Sequence, residues 1–129
     1  MAKFTMSGGD EMRAKLQRLA KRFPQEEEMA LFQEAQIEMT ESKKRVPVDT
    51  GTLRASGHVL KPETKWGRTS VDLVYGGAAE KYAVIVHEDL EANHKVGQAK
   101  FLESVLMESA PTMGERIAKR VEFNKSMLS

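Results

Sequence analysis

The chain has 129 residues, 20 of them basic and 19 acidic, so its formal net charge is only +1. This length suits one domain over residues 1–129, with about two-thirds of the unfolded surface buried around a single core. The small net charge argues against a dedicated duplex-DNA binder with a broad basic face. The chain has no cysteine, which excludes disulfides and thiolate metal sites, so stability has to come from packing and assembly.

No apolar segment approaches the length of about 20 residues that a transmembrane helix needs. Residues 1–6 lack the apolar core of a signal peptide. We therefore expect a protein that is made and used in solution and has no membrane partner.

Residues 10–45 carry a helical pattern, preceded by residues 1–9, whose Ser-Gly-Gly run predicts a flexible lead. Up to residue 23, large apolar side chains recur at intervals of four, three and four residues, and basic residues occupy the other faces. This pattern predicts an amphipathic helix whose basic side either faces solvent or meets DNA or an acidic neighbour. The apolar stripe consists of Met12, Leu16, Leu19 and Phe23.

A second helix is predicted from Pro24, because proline suits the first turn and the glutamates at 26–28 suit the N-terminal helix dipole. Its main apolar stripe runs through Phe32, Ala35 and Met39. Leu31 and Ile37 fall off that stripe, which predicts apolar contact on a second side, either with another helix or with a neighbouring subunit.

A corner at residues 47–56 separates the helical pattern from a strand pattern. Pro47 cannot donate to a helix and disfavours the α conformation at Val46, so the helix should end by Arg45. The residues after it can cap a short turn, permit a reversal and point an apolar anchor inward. No nucleophile stands beside a base, so we interpret the corner as structural. Its motif residues are Pro47, Asp49, Thr50, Gly51, Leu53 and Arg54.

Arg54 has two interpretations. On the turn it can reach a carboxylate of the long helix and hold the two elements together. The alternative is a surface arginine that contributes little.

Residues 46–87 are predicted to form the turn and the sheet, with strands at 57–61 and 70–75. Alternation of apolar and polar residues from Ser70 to Tyr75 indicates that one face is buried. The polar loop at 62–69 carries the single tryptophan, Trp66. Residues 82–87 are rich in β-branched side chains, but the run is too short to decide between strand and helix.

Residues 88–97 are polar and predict a mobile loop, followed by a helix over residues 98–124. Pro111 lies inside this helical pattern and predicts a kink or a break near residue 111. The apolar stripe of the helix consists of Leu102, Leu106, Met113, Ile117 and Val121. Together these elements predict an α+β fold: a small antiparallel sheet of about three strands, packed against a long N-terminal helix and a C-terminal helix.

Residues 87–94 hold the one cluster with metal-ligand character, built on His87, Glu88, Asp89 and His94. The two histidines are seven positions apart, which does not match the i, i+4 spacing of helical zinc sites. The glycine pairs of the chain lack the spacing and the lysine of a nucleotide-binding loop. We therefore expect no metal, no cofactor and no catalytic residues.

Four motifs occur in a recognisable order: Pro-Val-Asp-Thr-Gly-Thr-Leu-Arg-Ala-Ser at 47–56, Tyr-Ala at 82–83, Val-His-Glu at 86–88 and Lys-Phe-Leu at 100–102. In this order and spacing the chain resembles the small tail-completion, or head-to-tail joining, proteins of long-tailed bacteriophages. The resemblance implies a virion structural protein without catalysis. Such proteins form a ring, usually of six copies, at the tail end or in the neck.

The resemblance also implies partners and a location. The ring would join the tail tube protein to the neck or connector proteins and leave a channel for genomic DNA, after assembly in the host cytoplasm. Its loops and termini would carry the contacts between subunits. The candidate subunit contacts are Trp66, Tyr82, His87, Glu88, His94 and Lys95.

A ring needs two unlike patches on each subunit. The sequence offers an acidic stretch at 26–41 and basic stretches at 13–22 and 116–125, which predict charge pairing across subunits. The alternative function is a small nucleic-acid-binding protein that uses the helix at 10–23 and the basic C-terminus.

Overall fold

The computed structural model of the protein describes residues 2–5, 9–46, 51–65, 68–75, 81–86, 91–94 and 100–128. The α+β class predicted from the sequence is confirmed, with N-terminal and C-terminal helices and an antiparallel sheet. In chain order the elements are β1 (Ala2–Thr5), α1 (Gly9–Arg22), α2 (Pro24–Arg45), α3 (Gly51–Ser56), β2 (His58–Val59), β3 (Glu63–Lys65), β4 (Arg68–Val74), β5 (Lys81–Val86), β6 (Glu91–His94) and α4 (Lys100–Leu128).

The boundaries of α2 follow from its two flanking prolines. Pro24 occupies the first turn, and the helix ends at Arg45. Val46 is already extended, with φ −71° and ψ 130°, as expected for a residue that precedes proline. The off-stripe residues of α2 differ in their surroundings: Leu31 is fully buried in the core, whereas the Ile37 side chain is 44% exposed.

The sheet has the strand order β1-β6-β5-β4-β2, with β3 also paired to β4, and every pairing is antiparallel. β2 and β4 correspond to the strands predicted at 57–61 and 70–75. Residues 82–87, which the sequence left open between strand and helix, contribute to β5 (Lys81–Val86). Alternate residues of β4 are buried, as the sequence alternation predicts.

Three segments predicted to be irregular contain strands. Ala2–Thr5 lies in the predicted flexible lead, Glu63–Lys65 in the predicted loop at 62–69, and Glu91–His94 in the predicted mobile loop at 88–97. Each strand is only three or four residues long and has no strong apolar alternation. It exists because a partner strand supplies its hydrogen bonds, which local sequence does not reveal. β6, for example, pairs with both β1 and β5.

Helix α4 runs from Lys100 to Leu128 without the break expected near Pro111. Ala110, just before the proline, and Met113, two residues after it, are buried against the rest of the protein. Packing of that face compensates for the backbone hydrogen bond that proline removes, so the helix continues.

The two long helices lie against the sheet. α2 contacts β2 and β4, α4 contacts β1 and β6, and the two helices pack on each other. α1 packs against both of them. The apolar stripes predicted for these helices form one buried cluster with the inner residues of β4. Its fully buried members include Leu16, Leu31, Leu73, Leu106 and Ile117.

Tyr75 follows β4 and is held in place from two sides. Its hydroxyl forms a 2.8 Å hydrogen bond with the Ser42 hydroxyl of α2, and its ring meets the edge of the Phe101 ring at a centroid distance of 5.1 Å. Gly57, just before β2, lies directly against this ring. A Cβ atom at Gly57 would stand 2.6 Å from Tyr75 Cε1 and 2.9 Å from Met39 Sδ.

We expect Gly57→Ala to lower the free energy of unfolding by about 1 to 3 kcal/mol, because the constrained tyrosine ring cannot move aside. Gly51→Ala is the matched control, since a Cβ there has no neighbour within 4 Å. Urea unfolding of both variants measures the difference. Equal stability of the two variants would contradict the close contact at Gly57.

Candidate interaction surfaces

A buried charged contact, which we call the seam, joins α2 to α4. Glu34 of α2 is fully buried, and its carboxylate accepts hydrogen bonds from Arg116 of α4, at 2.7 Å from Nη2 and 3.2 Å from Nε. The Nε atom of Arg120 lies 3.6 Å from the same carboxylate. One turn further along α2, Glu38 accepts a hydrogen bond from the Ser109 hydroxyl, which itself accepts one from Arg116.

The two carboxyl groups of the seam have opposite pKa shifts. Burial raises the pKa of Glu38 to about 8, and the neighbouring Glu34 carboxylate acts in the same direction. Burial also tends to raise the pKa of Glu34, but the hydrogen bonds from Arg116 and Glu38 and the charges of both arginines outweigh it. The pKa of Glu34 therefore lies below its usual value. The pair holds one proton at neutral pH, on Glu38.

The seam changes the interpretation of the acidic stretch at 26–41. Glu27, Glu34 and Glu38 are buried, and Thr69 of β4 donates a 3.1 Å hydrogen bond to Glu27. In the same way Arg116 and Arg120 point at Glu34 within the chain. These residues are therefore not available for the predicted pairing across subunits.

An apolar groove with a volume of about 440 Å³ lies on another side of α2. Met29 and Phe32 of α2 face Val59 of β2 and Pro62 across it. Glu28 stands at its rim and accepts a 2.5 Å hydrogen bond from Thr64 of β3. The remaining lining residues are Gln25 and Lys61.

The C-terminal end of α4 exposes two large apolar side chains, Phe123 and Met127, which are 63% and 68% exposed. They are four residues apart and so lie on one side of the helix. We call this pair the α4 knob. Between them, Asn124 faces the protein and donates a 3.2 Å hydrogen bond to the Glu26 carbonyl at the start of α2.

A third surface combines the two basic stretches. At the C-terminal end of α1, Phe23 lies between two cations: Lys125 Nζ is 4.4 Å and Arg22 Cζ is 5.5 Å from its ring centroid. Arg18 and Lys21 line the same depression, together with Leu19 and Glu122. Segments about one hundred residues apart in the sequence thus form one basic surface, which we call the α1 basic surface.

A family model described as "Bacteriophage HK97-gp10, putative tail-component" matches residues 10–123. The chain belongs to the HK97-gp10-like family. The match spans both long helices, the corner and most of the sheet. It agrees with the resemblance to phage tail-completion proteins and supports a structural role in the virion. Comparison with curated proteins and with solved structures gave no match.

In this HK97-gp10-like chain, the corner motif lies partly outside the described residues, which exclude Pro47, Asp49 and Thr50. Gly51 begins α3, and Leu53 lies within it. Arg54 does hold the short helix to α2, but through a carbonyl and not a carboxylate: its Nη2 donates a 2.7 Å hydrogen bond to the Val46 oxygen.

Two of the predicted subunit contacts belong to neighbouring strands, Tyr82 in β5 and His94 in β6. The others, Trp66, His87, Glu88 and Lys95, lie outside the described residues. Within the described ranges, no three potential metal ligands of the His, Cys, Asp and Glu types come together. Nor does any helix there have the length and hydropathy of a membrane span.

Sequence reasoning missed both the seam and the groove. The spacing of Gln25, Glu28, Met29 and Phe32 does mark one side of a helix, but only the tertiary contact with Val59 and Pro62 makes that side a groove. The acidic stretch of α2 was predicted to pair with basic stretches of a neighbouring subunit. The sequence did contain one indication of the seam. Arg116 and Arg120 are four residues apart, as are Glu34 and Glu38, so two antiparallel helices can bring the two pairs together.

We expect the unfolding free energy to fall as the pH rises from about 4.5 to about 8. Over this range folded Glu38 keeps a proton that the unfolded chain releases, so rising pH favours unfolding. In Glu38→Gln this group no longer titrates, and the profile becomes flatter. The exposed Glu41→Gln is the matched control and keeps the wild-type profile. Denaturant unfolding across this pH range is the measurement, and identical profiles for all three proteins would show that Glu38 is not protonated.

Arg116→Gln should destabilise the protein by about 2 to 3 kcal/mol, because it leaves buried Glu34 without its main counter-charge. Arg45→Gln is the control: Arg45 pairs with the exposed Glu108 and bonds Ser104 at 2.8 Å. Loss of that solvent-exposed contact should destabilise the protein much less than loss of Arg116. Combining each change with Glu34→Gln in a double-mutant cycle isolates the coupling. Coupling of Glu34 to Arg45 as large as that to Arg116 would contradict the seam.

Proposed function

We propose that the protein is a non-enzymatic structural protein of the virion that assembles into a ring at the head-tail junction. As a tail-completion or neck protein, it would join the tail tube to the head connector and leave a channel for DNA. Membership of a tail-component family over residues 10–123 is the observation that carries this proposal. Six copies is the usual number in the proteins that the sequence resembles.

The apolar groove and the α4 knob supply the two unlike patches that a ring requires. Asn124 places the end of α4 beside the start of α2, near the end of the helix where Gln25 lines the groove. Phe32 faces the groove and Glu34 faces α4. Because these residues are two positions apart, they project about 200° apart around α2.

The groove and the knob therefore lie near the same end of α2 but on different sides of it. A groove and a knob separated by the width of a helix do not meet within one chain, whereas two copies placed side by side can bring them together. In this arrangement Phe123 of one copy enters the groove of the next, between Met29 and Val59. Repetition of such a head-to-tail contact closes a ring when the rotation between copies divides a full turn.

The absence of cysteine makes this contact directly testable. We would prepare Met29→Cys and Phe123→Cys separately, mix them, and treat the mixture with a short bis-maleimide. The expected product is a covalent dimer that contains both variants, with little product from either variant alone. Met107→Cys, at an exposed methionine elsewhere on α4, is the matched control for Phe123→Cys.

The double variant with both cysteines should give a series of covalent oligomers. The size of the largest oligomer gives the number of copies in the ring. Light scattering on the untreated wild type, alone and with tail tubes, checks that the oligomer exists. A cross-linked dimer from Phe123→Cys alone would indicate a symmetric contact and contradict the head-to-tail arrangement. A monomer under every condition would contradict the ring itself.

A further inference from the structure

The α1 basic surface carries charge that the rest of the protein does not neutralise. Most cations of the other elements have a carboxylate partner, such as Lys44 with Glu41 and Lys119 with Glu115. Among the described residues, the exposed cations of α1 from residue 15 onward form no ion pair. These cations are Lys15, Arg18, Lys21 and Arg22.

The helix dipole explains only some of these cations. Lys21 and Arg22 lie in the last turn of α1, where the helix dipole favours positive charge. Lys15 and Arg18 lie nearer the middle of the helix, where the helix dipole no longer favours positive charge. With Arg22 they recur at intervals of three and four, on a side of the helix about 100° away from the buried Leu16 and Leu19. Their alignment is therefore suited to an extended partner.

The partner has to bring its own negative charge. Half of the six glutamates at 26–41 are unavailable to a second copy, because Glu27, Glu34 and Glu38 are buried and bonded within the chain. Of the carboxylates at the surface itself, Glu122 is paired with Lys125 at 3.2 Å, and Glu11 lies near the start of α1. The surface retains a net positive charge.

Duplex DNA has the charge spacing that the surface requires. The eight residues from Lys15 to Arg22 span about 10 Å of helix axis, and the same length of duplex carries about six phosphates. Phe23 is partly buried and two cations already lie over its ring, so it is poorly placed to stack on an unpaired base. The contact is therefore with the phosphate backbone and independent of sequence.

We propose that the α1 basic surface, consisting of Lys15, Arg18, Lys21, Arg22 and Lys125, binds the phosphate backbone of duplex DNA. Four unpaired cations support weak, salt-sensitive contact and not tight retention of the duplex. The surface is also separate from the α4 knob, because Phe123 and Lys125 are two positions apart and project about 200° apart around α4. The proposal thus does not depend on the ring, and the two can be tested separately.

Fluorescence anisotropy with a short labelled duplex tests the proposal on the full chain. For the wild type, the logarithm of the binding constant should fall against the logarithm of salt concentration with a slope of about −3 to −4. The triple variant Arg18→Gln, Lys21→Gln, Arg22→Gln should bind at least about tenfold more weakly and lose about 2 to 3 units of slope. Arg18→Lys with Arg22→Lys keeps the charge and should keep the binding.

The matched control neutralises three exposed lysines that already have carboxylate partners, in the triple variant Lys44→Gln, Lys65→Gln, Lys119→Gln. Both triple variants have the same net charge, so only a local surface distinguishes them. Thermal unfolding confirms that each variant is folded. If both triple variants weaken DNA binding equally, the loss depends only on net charge, and the proposal is overturned.

Two further outcomes would also overturn it. One is a wild type that shows no salt-dependent binding at about 50 mM salt, where such contacts are strong. The other is an α1 triple variant that binds DNA normally but loses oligomer or tail-tube binding by light scattering. That result would assign the surface to an acidic protein face, whereas lost DNA binding with intact oligomers supports the proposal.

Discussion

Arg116 lies between two carboxyl groups at the centre of the α2–α4 contact, and the arrangement of the helices depends on it. Two desolvated carboxyl groups so close together cannot both ionise without a large electrostatic cost. Here one is ionised against the arginine and the other keeps its proton. Breaking such a contact is costly, although a fully apolar seam of the same shape would also hold the helices together. The charged contact aligns α2 with α4, because its groups pair in one register of the two helices only.

The register of α2 and α4 determines which side chains lie on the surface of the protein. Glu27, Glu34 and Glu38 of α2 are turned inward, and the outer surface of the described chain includes the apolar groove, the α4 knob and the α1 basic surface. The groove and the knob are the surfaces that we propose to join neighbouring copies of the chain. The α1 basic surface has no such counterpart within the described chain and suits a polyanion. Membership of a phage tail-component family is consistent with a subunit that contacts both protein and DNA.

Local sequence rules predicted the long elements and failed for the short ones. The stripes of α1 and α4, the end of α2 before Pro47 and the buried alternation of β4 all follow from periodicity and proline geometry. The strands β1, β3 and β6 escaped prediction because four or fewer residues carry too little periodicity. Of the two outcomes predicted at Pro111, a kink or a break, the break does not occur, because burial of Ala110 and Met113 keeps the helix continuous.

The sequence by itself determined the α+β class, the apolar side of each long helix and the family, because these depend on local periodicity and on motifs in order. The tertiary structure alone decided which charges are neutralised. Glu34 and Glu38, which the sequence suggested as partners for a second subunit, are buried against arginines from the far end of the same chain. Side chains distant in sequence form the groove and the α1 basic surface. The reason is physical: charge and burial depend on neighbours in space, and only the folded chain brings those neighbours together.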